Sequence, residues 1–192
     1  MPLKTGLTER TIVNLQLNAG VLLTKYAKGT DIEEDDIIGA TRGGGSFTAV
    51  PTVHQAAVDG APTYTKGLER VDDWVVTMNT TMLEFSDEGI ARALGAGVTK
   101  TESGSGTTKD VTFKVDRTIK DAEYKDIYWV GDLSNGQNVV IKLKNALNIS
   151  GFSLTVSDRG EGTYPLALIA HYTVDDLETA PFEITIERAT SV

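Results

Sequence analysis

No cysteine occurs in the chain, so disulfide frameworks, thiolate nucleophiles and cysteine-ligated metals are all excluded. Histidine is nearly as scarce: His54 and His171 stand alone in strand-like runs, with no companion ligand or relay partner at a recognisable spacing. Both read as ordinary strand histidines. The nucleophile elbow GxSxG is missing, and so are GxGxxG and the Gly-Lys-Ser/Thr of a phosphate loop. No apolar run approaches the roughly 18 residues that span a bilayer. The N-terminal MPLKTGLTERTIVNLQL lacks a basic region followed by an unbroken apolar stretch, so the expectation is a soluble chain without a secretory signal. On that expectation Asn79-Thr-Thr and Asn148-Ile-Ser match the glycosylation sequon by chance. Positive charge is also in deficit. With 18 basic against 27 acidic residues the formal net charge is −9, which opposes a surface that binds nucleic acid by neutralising phosphates.

What the chain does have is apolar content in the globular range, enough in 192 residues for one domain with a real core. The strongest pattern has period two. Val139, Ile141 and Leu143 alternate in VVIKLKNAL, as do Phe152, Leu154 and Val156 in FSLTVS, Phe182, Ile184 and Ile186 in FEITIE, and Val111, Phe113 and Val115 in VTFKVD. Each reads as a half-buried strand. YPLALIAHY, apolar on both faces, reads as a central strand; WVVTMNTTMLEF, rich in Thr and β-branched residues, reads as a long one; IYWVGD and NLQL are shorter candidates. Turn chemistry at Val58-Asp59-Gly60, Ser134-Asn135-Gly136 and Asp158-Arg159-Gly160 makes neighbouring strands antiparallel. SDEGIARALGAG reads as a short helix capped by Ser86, with Asp87 and Glu88 at its positive end, Ile90, Ala93 and Leu94 inward, and Gly95 or Gly97 at its close. TESGSGTTKD, residues 101–110, reads as a polar loop. The fold class expected is therefore all-β, an antiparallel sandwich or small barrel with one short flanking helix, in a single domain with flexible termini at 1–11 and 189–192.

Residues 27–52 stand apart as an extended, unpatterned loop, and loops of that length inside a domain are functional or disordered. The loop contains an acidic run, Asp31, Glu33, Glu34, Asp35 and Asp36, then Arg42 and the triple glycine Gly43, Gly44 and Gly45, then Phe47 and Val50. Counting a calcium loop from Asp31 puts Asp36 where the glycine belongs and Arg42 where the bidentate acid belongs, so the register fails and a solvated acidic face is the better reading. Asp72-Asp73 and Asp175-Asp176 read as strand-end or turn acids. Trp74, Trp129, Tyr128 and Tyr172 read as packing residues, because so acidic a chain is a poor stacking platform for single-stranded nucleic acid. No catalytic residue, cofactor site or metal site emerges.

The order of NLQLNAGVLLTKY, IIGATRGGGSFTAVPTVHQAAVDG, WVVTMNTTMLEF and IYWVGDLSNGQNVVIKLKNALNISGFSLTVSDRGEGTYPLALIAHY resembles the major tail tube proteins of long-tailed, siphovirus-type bacteriophages over roughly residues 12 to 188. The resemblance implies a non-enzymatic virion protein, made and assembled in the host cytoplasm, whose partners are first of all copies of itself. Hexameric rings would stack into a hollow tube that ejects DNA, with DNA only as passing cargo and no membrane involved. Tape measure, tail terminator and distal tail proteins are the other implied partners. In that family a long loop between early strands reaches the neighbouring ring, here residues 27–52. Arg42, Phe47, Val50, the three glycines and the acidic run would then be inter-ring or inter-subunit contacts. Two other classes stay compatible with the residues: a monomeric β-sandwich binding module of adhesin or carbohydrate-binding type, and a cation-dependent enzyme built on Asp35 and Asp36.

Overall fold

The computed structural model describes residues 6–16, 18–105 and 109–188. Among the described residues there are nine strands, all paired antiparallel. In chain order they are β1 Val21–Leu23, β2 Thr41–Gln55, β3 Glu69–Met82, β4 Val98–Ser103, β5 Asp110–Val115, β6 Lys125–Asp132, β7 Asn138–Asn148, β8 Tyr164–Ile169 and β9 Phe182–Ile186. Seven belong to one sheet in the order β1-β6-β7-β8-β3-β2, with β9 on the other side of β7; β4 and β5 form a separate hairpin. The all-β antiparallel expectation holds.

The long β7 joins two halves of this sheet. Its first part pairs β6 on one side and β9 on the other, from Val139↔Ile186 to Leu143↔Phe182. Beyond Asn145, which takes a left-handed φ of 49°, it pairs β8 instead, through Leu147↔Ile169 and Asn148↔Leu168. Polar partners hold that corner: the Asn145 amide donates to Asp126 at 3.1 Å and its side chain donates to the His171 carbonyl at 3.1 Å. The halves then face each other. Leu22, Ile127 and Leu143 from one meet Val76, Met78, Met82, Tyr164, Leu166 and Leu168 from the other in a continuous core. Phe182 sits 5.7 Å from Phe47 and 5.6 Å from Trp74, ring to ring across the layers. Each fully buried aliphatic side chain there contributes about 1.5–3 kcal/mol.

One end of the core is closed by helix α2, Asp87–Leu94. Ser86 caps it as its sequence predicts: its Oγ accepts from the Gly89 amide at 2.9 Å and donates to the Ile38 carbonyl at 2.6 Å. Ala93 is buried, whereas Ile90 and Leu94 are half-buried.

Several expectations need correction. Residues 27–52 are not one loop: a short 3-10 turn covers Glu34–Asp36, and Thr41–Gln55 is strand β2. The segment 101–110 is mostly strand, because Thr101 to Ser103 pair Thr112 to Asp110; residues 106–108 lie outside the description. FSLTVS is extended but not a strand, its one bridge being Thr155↔Thr163. Ile184 and Ile186 of β9, expected inward, are more than half exposed, since the strand overruns the core. Near the N-terminus, Glu9–Val13 form a helical turn, α1, within the terminus expected to be flexible. Gln16 of NLQL makes only an isolated bridge to Leu133. Residues 1–5 and 189–192 lie outside the description.

Candidate assembly surface

The triple glycine sits inside a ladder, and its physical role follows from the register. Arg42 pairs Thr81 and Gly45 pairs Thr80, so adjacent residues of β3 face residues three apart on β2. Gly43 and Gly44 are therefore a two-residue bulge, with φ of 74° and 75° that only glycine adopts without strain. Thr80 donates its hydroxyl to the Gly44 carbonyl at 3.0 Å and closes the bulge. Gly45 lies flat against the neighbouring strand, where a Cβ would stand 2.8 Å from the Asn79 carbonyl oxygen. The entropy of ordering these glycines is thus offset within the subunit.

Beyond the bulge, β2 and β3 alternate in step. Phe47↔Met78, Ala49↔Val76 and Pro51↔Trp74 face the core; Thr48↔Thr77, Val50↔Val75 and Thr52↔Asp73 face away. Asp72 is an extra residue between Thr52 and Val53, after which Val53 pairs Val71 on the side of Pro51 and Trp74. The sheet stops short of this point. β8 pairs β3 only from Thr77 to Met82, with single further bonds from the Ala170 amide to Val76 and from the Trp74 amide to the Tyr172 hydroxyl. Residues 51–55 and 69–73 therefore form a two-stranded arm, continued by the turn-rich segment 56–68. On the arm the core-facing row runs on into solvent, with Val53 48% and Val71 47% exposed, while Val50 and Val75 are exposed on the opposite face. The outer edge of β2 pairs with nothing among the described residues, and between Gly43 and Gln55 it carries no Asp, Glu, Lys or Arg.

The expected contact residues divide sharply. Phe47 is committed to the chain's own core against Phe182, so it is not free to anchor a neighbour. Val50 is exposed. Arg42 pairs within the chain to Glu161 at 3.0 Å, both side chains more than half exposed. A hydrogen bond from its own backbone amide and the Arg42 charge hold the Glu161 carboxyl below the usual range. In the acidic run, Asp36 is tied down by Lys25 at 3.5 Å, and its carbonyl accepts from the Thr24 amide at 2.8 Å. Asp31, Glu33, Glu34 and Asp35 are exposed and carry no ion pair among the described residues. No group of three or more acids or histidines among the described residues is placed to hold a metal ion, and no described helix is long and apolar enough to cross a membrane. Trp129 donates its indole N–H to the Ala19 carbonyl at 2.9 Å, and Trp74 packs on the core.

Sequence reasoning missed Val53, Val71 and Val75. For Val53 the signal was present as the alternation of SFTAVPTV, masked by the preceding glycines; Val71 lies before the strand read from Trp74 onward, and the outward side of Val75 needs the register.

No family model and no curated protein matches the chain. Among solved structures, a chain of the "tail of empty GTA particle computed with helical refinement, C6 symmetry" aligns at 11% identity and a TM-score of 0.42, covering 88% of this chain and 96% of its own. A chain of the "virion of native gene transfer agent (GTA) particle" aligns at 10% identity and a TM-score of 0.41, with the same coverage. Likeness at this level is too weak to assign a role.

Proposed function

We propose that this chain is the repeating subunit of a phage-type tail tube, a virion protein that assembles into stacked hexameric rings through which DNA passes. The observation that carries the reading is the β2–β3 arm: a hairpin that leaves the body with an uncovered valine row continuous with the core face. A monomer gains nothing by exposing that row, whereas a neighbour that covers it recovers the burial free energy. The resemblance in segment order supplies the identity of the neighbour as another copy. In this reading the arm, rather than the whole of 27–52, is the element that reaches the adjoining ring; Val50 and Val53 are its apolar contacts, while Arg42, which pairs Thr81 at the far end of the same ladder, belongs to the polar rim of the opposite end.

Net charge has a role in this reading. Each copy brings −9, and acids projecting into a narrow bore repel phosphates over about 8 Å at physiological salt, so DNA slides without adhering. No step requires catalysis, a cofactor or a membrane.

Light scattering and negative-stain imaging of the purified chain across concentration test the proposal. Rings or tubes are the expected products. A protein that stays strictly monomeric, and that binds glycans, belongs to the binding-module class instead.

A further inference from the structure

We infer that the arm of one copy docks on an apolar patch at the opposite end of the next copy, formed by Phe85, Phe152, Leu154 and Val156. The inference rests on the tube reading and identifies the surface that receives the arm.

The patch is an unfinished element. FSLTVS alternates like a strand, yet its one bridge to a neighbouring segment is at Thr155, through reciprocal amide bonds with Thr163 of 2.8 and 2.9 Å, the Ser157 carbonyl accepting only a turn bond from Gly160. Its apolar side chains converge outside the core. A Cβ built on Gly162 would stand 3.4 Å from Val156, 3.5 Å from Phe85 and 3.7 Å from Leu154. Beneath them lies the buried Tyr164 ring, 5.2 Å from Phe85 and 5.5 Å from Phe152. Yet Leu154 and Val156 remain 46% and 69% exposed.

Position in the fold selects the occupant. Tyr164 pairs with Met82, the last residue of β3, whereas Val71 lies near that strand's first residue, on the arm. Patch and valine row thus lie toward the two ends of one 14-residue strand, roughly 36 Å apart at about 3.3 Å per residue from Val71 to Met82. Copies related by translation along this strand bring the arm of one against the patch of the next. Such a contact is heterologous and propagates without limit, as stacking requires. Electrostatics favour the same match. Copies at −9 repel one another, but residues 145–157 contain no Asp, Glu, Lys or Arg, and neither does β2 from Gly43 onward, the charges of the arm being confined to Glu69, Arg70, Asp72 and Asp73 on β3. A branched aliphatic row on an aromatic and aliphatic floor is the resulting interface.

The absence of cysteine makes the test clean. In a Val53→Cys/Leu154→Cys variant, assembled and then mildly oxidised, disulfides should link position 53 of one copy to position 154 of another, giving a ladder of multimers on a non-reducing gel. A mixture of the two single variants should stop at dimers. Leu154→Asp should reduce sedimentable polymer at least tenfold and leave the thermal midpoint of the monomer unchanged, while Val115→Asp on β5 should leave the polymer intact. Tubes that form without the 53–154 link, or that tolerate Leu154→Asp, overturn the inference and leave the tube reading standing. Loss of polymer with Val115→Asp as well as Leu154→Asp also overturns the assignment to this patch. A wild-type chain that forms no rings or tubes overturns both.

Discussion

Two hairpins leave the body of this protein, and they are finished in opposite ways. The β4–β5 hairpin is held by charge: Lys100 bridges Asp87 of α2 at 3.0 Å and Glu102 at 3.1 Å, and Lys109 reaches Glu102 at 3.1 Å. At its base Glu123 accepts from the Gly97 and Val98 amides at 2.8 and 2.6 Å. Its ion pairs satisfy it as a freestanding, solvated element. The β2–β3 arm has only Gln55–Glu69 and Arg70–Asp72 across or along its strands; its β2 half is uncharged, its β3 half carries Glu69, Arg70, Asp72 and Asp73, and between these charges Val53 and Val71 stand exposed. Freestanding hairpins are marginal in water, so one laced with ion pairs and one that exposes a pair of valines call for different readings. The first is held by its own charges, and the second leaves apolar surface uncovered.

The largest effect should come from the bulge on which the arm is mounted. Deleting Gly43 and Gly44 together preserves the register, because Arg42 and Gly45 already face neighbouring residues of β3; it removes the Thr80 bond and should cost about 1 kcal/mol. Removing Gly45 as well shifts β2 by one residue and turns Phe47 and Ala49 outward, with a loss of about 3–5 kcal/mol. Urea melts of the two deletions check this; equal stability would mean that the strand is not in the described register. Next, Val53→Asp with Val71→Asp should abolish polymer while changing monomer stability by less than about 0.5 kcal/mol, as scattering and calorimetry together would reveal. The matching change on the other hairpin, Lys100→Gln, should lower the thermal midpoint slightly and leave the polymer unaffected. Loss of polymer there would erase the contrast between the two elements.

The smallest effect concerns acid. Lys144, 2.6 Å from Glu183, holds that carboxyl below its ordinary pKa. A depressed folded-state pKa gives stability that is present above the unfolded value and lost as pH falls through the folded one. Glu183→Gln should therefore flatten the stability profile below about pH 4.5, by a few tenths of a kcal/mol at this exposed site.

Period-two alternation made β5, β7 and β9 legible from sequence; β3 showed through its Thr and β-branched content, β8 through apolar residues on both faces and β6 as a short candidate, and the hairpin turn at Ser134-Asn135-Gly136 and the Ser86 cap were visible too. Two kinds of residue misled. Glycines with positive φ in the middle of a strand look like a loop, because a bulge is specified by the partner strand and not by local composition. FSLTVS shows the converse: a strand pattern becomes a strand only where a partner ladder runs beside it, and here it meets its neighbour at the single bridge Thr155↔Thr163. The contact candidates suffered from the same blindness. Phe47 and Val50 differ in sequence only by parity, and parity has no meaning until the register shows which face is inside.

Pro51 has a consequence for the life of the free subunit. It sits midway along the open margin of β2, where a residue without an amide proton denies an incoming strand one of its anchoring bonds. Together with the glycine kink behind it, it divides a long neutral border into pieces too short to zip against a stranger. Its ring thus blunts edge-to-edge pairing of one chain with another, and a single imino acid shields the exposed margin from indiscriminate clumping.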